Sequence, residues 1–141
     1  MSAVLAPAAP PDLLPEVSAE RMAAAGLRAF ARIAEAWGLN VDEQLALLGR
    51  PPRSTFFAWR KQPDKAVLPR DTLERLSNIL GIYKSLQILL PADAADAWPR
   101  QPNTAALFGG GSALQRMLAG NVSDLHLVRR YLDGVRGGGW S

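Results

Sequence analysis

Apolar residues recur in this chain at helical spacing, and the helices are started and stopped by their usual signals. Phe30, Ile33, Ala34 and Trp37 fall at i, i+3, i+4 and i+7, one stripe of a helix, and Gly38 follows at once. Asn40 stands three residues before Glu43, and Ser112 three before Gln115, the spacing at which a cap side chain and a glutamate or glutamine satisfy each other's backbone N–H groups. No segment alternates apolar and polar residues over the length of a strand. Helical stripes of this kind must be buried against one another, so the expected fold class is all-α. With 48% hydrophobic residues in 141, there is enough apolar surface for a core.

The same signals set the expected elements. A first helix runs from about Ser18 to Trp37, and a second covers Val41 to Leu48 with Val41, Leu45 and Leu48 inward and Gly49 as its stop. A third fits Arg53 to Lys61, a fourth Arg70 to Leu80 closed by Gly81, and a fifth Ile82 to Leu90 closed by Pro91. Residues 91–111 are the most broken stretch, with Pro91, Pro99, Pro102 and Gly109 to Gly111, and the division between two functional halves is expected between Pro91 and Pro102. Trp98 implies that this connector packs. Ser112 caps a further helix ending at Gly120, and Ser123 caps a last one through Val135 with Leu125, Val128 and Leu132 inward. Residues 1–17 contain Pro7, Pro10, Pro11 and Pro15 and no basic leader, which predicts a disordered arm, neither a signal peptide nor a membrane span, and a cytoplasmic protein. The domains expected are therefore 1–17, 18–91 and 92–141.

Charge is unevenly spread. Residues 1–49 carry three basic and six acidic side chains, residues 50–75 seven and three, and residues 76–141 six and four, within a total of +3. The basic excess coincides with two short helices joined by a tight glycine turn, the layout of a helix-turn-helix whose second helix enters the major groove of DNA. On that helix Phe56 and Trp59 share one face and are assigned to the core. Ser54, Phe57, Ala58 and Lys61 lie opposite, flanked by Arg53 and Arg60, where they are placed to meet base edges and phosphates. Phe57 has two readings, contact with a thymine methyl or packing on a neighbouring helix. Arg50, Lys65 and Arg70 are candidate phosphate clamps or solvated charges. A single reading helix carries little specificity, so a homodimer is expected, with the fourth and fifth helices as its seam.

Other chemistries find little support. Without cysteine there is no disulfide and no thiolate metal site, and the scattered carboxylates form no metal-ligand cluster. His126 is the single histidine; Ser123, Asp124 and His126 are neighbours on one helical turn rather than groups converging in a pocket. The Gly109 to Gly111 run lacks the Lys-Ser/Thr of a phosphate loop and, with Asn103 bonding the local main chain, is read as a turn. No enzyme activity, metal or cofactor is expected.

Taken in order, Ser54 to Trp59, Leu76 to Leu86, Trp98, Pro102-Asn103, Phe108 to Leu114, Met117, Gly120, Val128-Arg129, Tyr131-Leu132 and Gly137 to Trp140 resemble the Xre/MbcA/ParS antitoxins, over about residues 18–141. The resemblance implies an Xre-like helix-turn-helix followed by a small helical toxin-binding domain. It further implies a cognate RES-domain toxin that consumes NAD as partner, and repression of the protein's own operon through operator DNA. Segment Ser54 to Lys61 departs from the family in having fewer polar base-contacting residues. In the last third, Gly138 and Gly139 leading to Trp140 fit a tail that anchors in a partner's cleft, or a frayed terminus. Arg129, Arg130 and Arg136 are candidate toxin contacts or solvated helix charges, Arg136 also suiting a helix C-terminus. The alternative to an antitoxin is a stand-alone helix-turn-helix regulator with a C-terminal sensing domain.

Overall fold

The computed structural model describes residues 13–137, with side chains from residue 20 onward. Helix α1 spans Leu13–Ala36. It starts five residues before Ser18, because Pro15 falls in the first turn, where a backbone N–H has no helical partner to lose. Residues 13–17 are thus helical rather than part of a disordered arm, and the remainder of that arm lies outside the described residues. The stripe Phe30, Ile33, Ala34 and Trp37 is buried. At its end Gly38 adopts φ +63°, its N–H bonds the Glu35 carbonyl at 3.1 Å, and the Leu39 N–H reaches the Ala34 carbonyl at 2.8 Å, a Schellman stop.

Helix α2 (Val41–Leu47) has the expected cap, with Asn40 Oδ1 accepting from the Glu43 N–H at 2.8 Å and Glu43 Oε1 from the Asn40 N–H at 2.9 Å. Gly49 and Arg50, both at positive φ, then turn the chain into α3 (Arg53–Lys61), whose Phe56 and Trp59 enter the core. A single 3₁₀ turn, Pro63–Lys65, packs on α1 before α4 begins.

Helix α4 runs unbroken over Arg70–Leu89, so the expected fourth and fifth helices are one. Gly81 does not stop it because nothing there demands a left-handed residue. Glycine here leaves room for the Arg129 side chain, which crosses from the last helix and would have to shift to admit a Cβ. Thr72, Leu76, Ile79, Ile82, Ser85 and Leu86 of α4 are buried between α1 on one side and the last helix on the other. Most of its apolar surface is thereby covered within the monomer; Ile88 is exposed, and Leu73, Leu80, Tyr83 and Leu89 are half-buried.

The broken stretch after Leu90 is ordered into α5 (Ala92–Ala97) and 3₁₀ turns at Trp98–Arg100 and Ala106–Phe108. As expected, Trp98 packs: its ring meets Phe108 edge-on at 5.9 Å, and Phe108 meets Tyr131 at 5.5 Å. Asn103 Oδ1 accepts from the Ala105 N–H at 2.9 Å, and Gly109 and Gly110 take positive φ. Ser112 and Gln115 form the capping box of α6 (Ala113–Met117). The last helix, α7 (Val122–Arg136), buries Leu125, Val128 and Leu132. Its N-cap is Asn121 and not Ser123, which is exposed; the nearby Asp124 is buried against Arg116, whose Nε lies 2.8 Å from Asp124 Oδ1.

One charged side chain ties three of these elements together. Arg75, 8% exposed, donates from Nε to Asp71 at 2.8 Å and from Nη1 to the Gly120 carbonyl at 3.0 Å. Gly49 of the α2–α3 turn lies against the same pair, since a Cβ there would sit 2.9 Å from both Arg75 Nε and Asp71 Oδ2. Replacing Arg75 with Ala is expected to destabilise the fold by about 2–3 kcal/mol, as the Gly120 carbonyl and the packed aliphatic stem lose their partners. Urea unfolding of wild type and R75A measures it; a difference within experimental error would show that Arg75 does not tie the halves.

Candidate functional site

The side chains expected on the outer face of α3 are on the surface. Arg53, Ser54, Phe57, Ala58, Arg60 and Lys61 are all exposed on α3, while Phe56 and Trp59 hold the helix to the core. Phe57 is 44% exposed and rests its ring edge on Phe56 at 5.2 Å, so it faces outward rather than packing on another helix. Two of the cations are already engaged. Arg53 donates to Asp42 of α2 at 2.9 Å, and the Arg60 guanidinium lies 5.8 Å from the centre of the Phe56 ring. Arg50, Lys65 and Arg70 are exposed at, respectively, the α2–α3 turn, the 3₁₀ turn after α3 and the start of α4.

In the second half the arginines divide. Arg130 is exposed, whereas Arg129 lies along α4 and donates to the Ser77 carbonyl at 3.2 Å and to Ser77 Oγ at 3.4 Å. Arg136 donates to the fully buried Ser85 hydroxyl at 3.2 Å. Arg129 and Arg136 thus fasten α7 to α4 rather than extend freely. Gly138, Gly139 and Trp140 lie outside the described residues. Beside this seam the C-terminal parts of α4 and α7 leave an apolar groove of about 200 Å³, lined by Leu86, Leu89, Trp98, Tyr131, Leu132 and Val135. Sequence reasoning missed the groove because those residues come from three separated segments, each legible only as core.

Arg100 was missed as well. From the 3₁₀ turn after α5 it reaches back to the first half, its Nε donating to the Trp37 carbonyl at 2.9 Å. Its Nη2 donates to the Gly38 carbonyl at 2.8 Å and to Glu43 Oε1 at 2.9 Å. It therefore caps the C-terminus of α1 and grips the capping glutamate of α2. Burial raises the affinity of the Glu43 carboxyl for its proton, but the Asn40 N–H and Arg100 outweigh that and hold it below its ordinary value.

Among the described residues no group of three or more His, Asp or Glu side chains forms a metal cluster. Asp124 is bound to Arg116 while Ser123 and His126 point to solvent, so the three do not converge. No described helix is long and apolar enough to cross a membrane.

Residues 16–81 match the antitoxin Xre-like helix-turn-helix domain, and residues 85–138 match the antitoxin Xre/MbcA/ParS C-terminal toxin-binding domain. The chain belongs to the Xre/MbcA/ParS antitoxin family. It is 53% identical over 115 residues to the uncharacterized protein y4oB of Sinorhizobium fredii, covering 81% of this chain and 86% of that one. No solved structure matches it. The second of these families is described by what it binds, a toxin. In the antitoxin the two matched segments adjoin at residues 82–84, inside α4, so one helix serves both domains.

The Arg100 clasp carries a pH signature. Because the Glu43 pKa is lowered by folding, its contribution to stability is complete above the ordinary value of 4.5 and is lost as pH falls through the lowered value. Thermal unfolding from pH 6 to pH 3 is expected to show a shallower acid decline in Glu43→Gln than in the wild-type antitoxin. Parallel curves would remove Glu43 from the acid limb.

Proposed function

We propose that this antitoxin binds and neutralises a RES-domain toxin that consumes NAD, covering the toxin's active site, and that it represses its own operon by binding operator DNA as a homodimer. The neutralising role rests on one observation, the toxin-binding domain matched over residues 85–138. The RES class is drawn from the ordered series running from Trp98 to Trp140. Within that domain the apolar groove between α4 and α7 supplies the desolvated centre that a protein interface needs, and Arg130 is an exposed cation on α7. The sequence that follows α7, Gly138, Gly139 and Trp140, offers an aromatic anchor for a partner's cleft. The Arg129 and Arg136 guanidiniums act first as fasteners of α7.

The repressor role rests on the exposed face of α3. Ser54, Phe57, Ala58 and Lys61 are free to meet base edges, Arg53 and Arg60 flank them, and Arg50, Lys65 and Arg70 stand where backbone phosphates would pass. Asp42 competes with phosphate for Arg53.

Co-expression with the reading frame beside its gene is expected to rescue growth and to yield a complex on purification; a neighbour that neither binds nor poisons the cell would overturn the antitoxin role. Deleting residues 137–141 is expected to leave the fold intact and weaken protection, and full protection by that truncation would assign inhibition to the helical face and groove alone.

For DNA, gel shift on the promoter fragment is the test. The double variant R53A/K61A is expected to lose binding while keeping its helical circular dichroism, and Asp42→Ala to bind several-fold tighter, at about 1 kcal/mol for an exposed ion pair removed from competition. Unchanged binding by R53A/K61A would take α3 off the DNA.

A further inference from the structure

The first 49 residues are net acidic, and in sequence they offer no footprint for a polyanion. In three dimensions their arginines are gathered. Arg21, Arg28 and Arg32 fall at i, i+7 and i+11 of α1, which places them within about 40° on one face, and all three are exposed. That face adjoins the end of α3. Arg32 and Arg60 line one open cleft of about 380 Å³, and Arg28 donates to Asp64, next to Lys65, at 2.7 Å. A strip of cations therefore runs from Arg21 along α1 to Arg60, with the carboxylates of Glu35 and Asp64 among them and Lys65 next to Asp64.

We propose that the outer face of α1, through Arg21 and Arg32 and joined to Arg60, is a second contact surface for the sugar-phosphate backbone of duplex DNA, flanking the groove that α3 enters. The inference rests on the DNA-binding role proposed above. The strip is about 16 Å long from Arg21 to Arg32, the axial span of several successive phosphates on one strand. Ala25 is the one side chain on it between Arg21 and Arg28, and no aromatic or large apolar group is interleaved, which fits a polyanion better than a protein surface. Glu35 and Asp64 act as local competitors that weaken the strip's hold.

Fluorescence anisotropy with a 30-base-pair duplex of random sequence, titrated across salt concentrations, tests this directly. Every phosphate that a variant no longer neutralises lowers the slope of log K against log salt by about 0.9, so R21Q/R32Q is expected to lower it by nearly 2 and to weaken binding at low salt at least tenfold. Lys84→Glu removes the same net charge from an exposed position of α4 and is expected to leave the slope unchanged. Glu35→Gln is expected to tighten binding. All four altered positions are exposed, and circular dichroism checks that each variant is folded.

An R21Q/R32Q slope equal to that of wild type, with R53A/K61A still impaired, would overturn the strip and leave the reading helix standing. An equal loss in K84E would overturn it too, by reducing the effect to overall charge. Failure of the wild-type protein to bind any duplex would overturn the reading helix and the strip together.

Discussion

A guanidinium inside a small helical protein is costly unless its donors are satisfied, and the way Arg75 is satisfied fixes the arrangement of everything around it. Its partners are Asp71 one turn earlier in α4 and the carbonyl of Gly120 in the link between α6 and α7, while the α2–α3 turn rests on the same pair with only a glycine's clearance. Helix α3, the central helix and the toxin-binding half are thereby referred to one point. Displacing any of the three strands a buried charge.

Arg100 adds a second tie of the same kind, made in the opposite direction. It leaves the second half and closes the free carbonyls of α1 together with the capping carboxylate of α2. Asp42, the neighbour of that carboxylate, holds Arg53 on α3. A contiguous set of polar contacts thus leads from the turn that carries Trp98, at the rim of the apolar groove, to Arg53 on the exposed face of α3. Each link is a charge-assisted hydrogen bond between 2.8 and 2.9 Å, apart from the covalent step between residues 42 and 43.

What could be read in advance was local. The α1 stripe, both capping boxes, the α3 span with its two buried aromatics and the inward triplet of α7 follow from spacing and capping chemistry within a dozen residues, and each is present in the structure. The misreadings have a common cause, in that a residue's role was set by a partner far along the chain. Gly81 looks like a stop until Arg129 is seen to need its space, and Ser123 looks like a cap until Asp124 is drawn to Arg116. The C-terminal arginines looked free for the same reason. Arg100 and the arginines of α1 went unnoticed because the first stands in a proline-rich stretch and the others in an acidic window. Only the fold shows that one is a clasp and that the others lie beside the end of α3.

The seam between the matched domains falls within a helix, and the crossing residue on each side of it depends on the other: glycine at 81 on α4, arginine at 129 on α7. Two antitoxins recombined at that seam would inherit one half of the crossing from each parent, and a parent bearing a side chain at 81 would oblige the other's arginine to take another path. Modules joined in this manner exchange most readily between relatives that keep the pair.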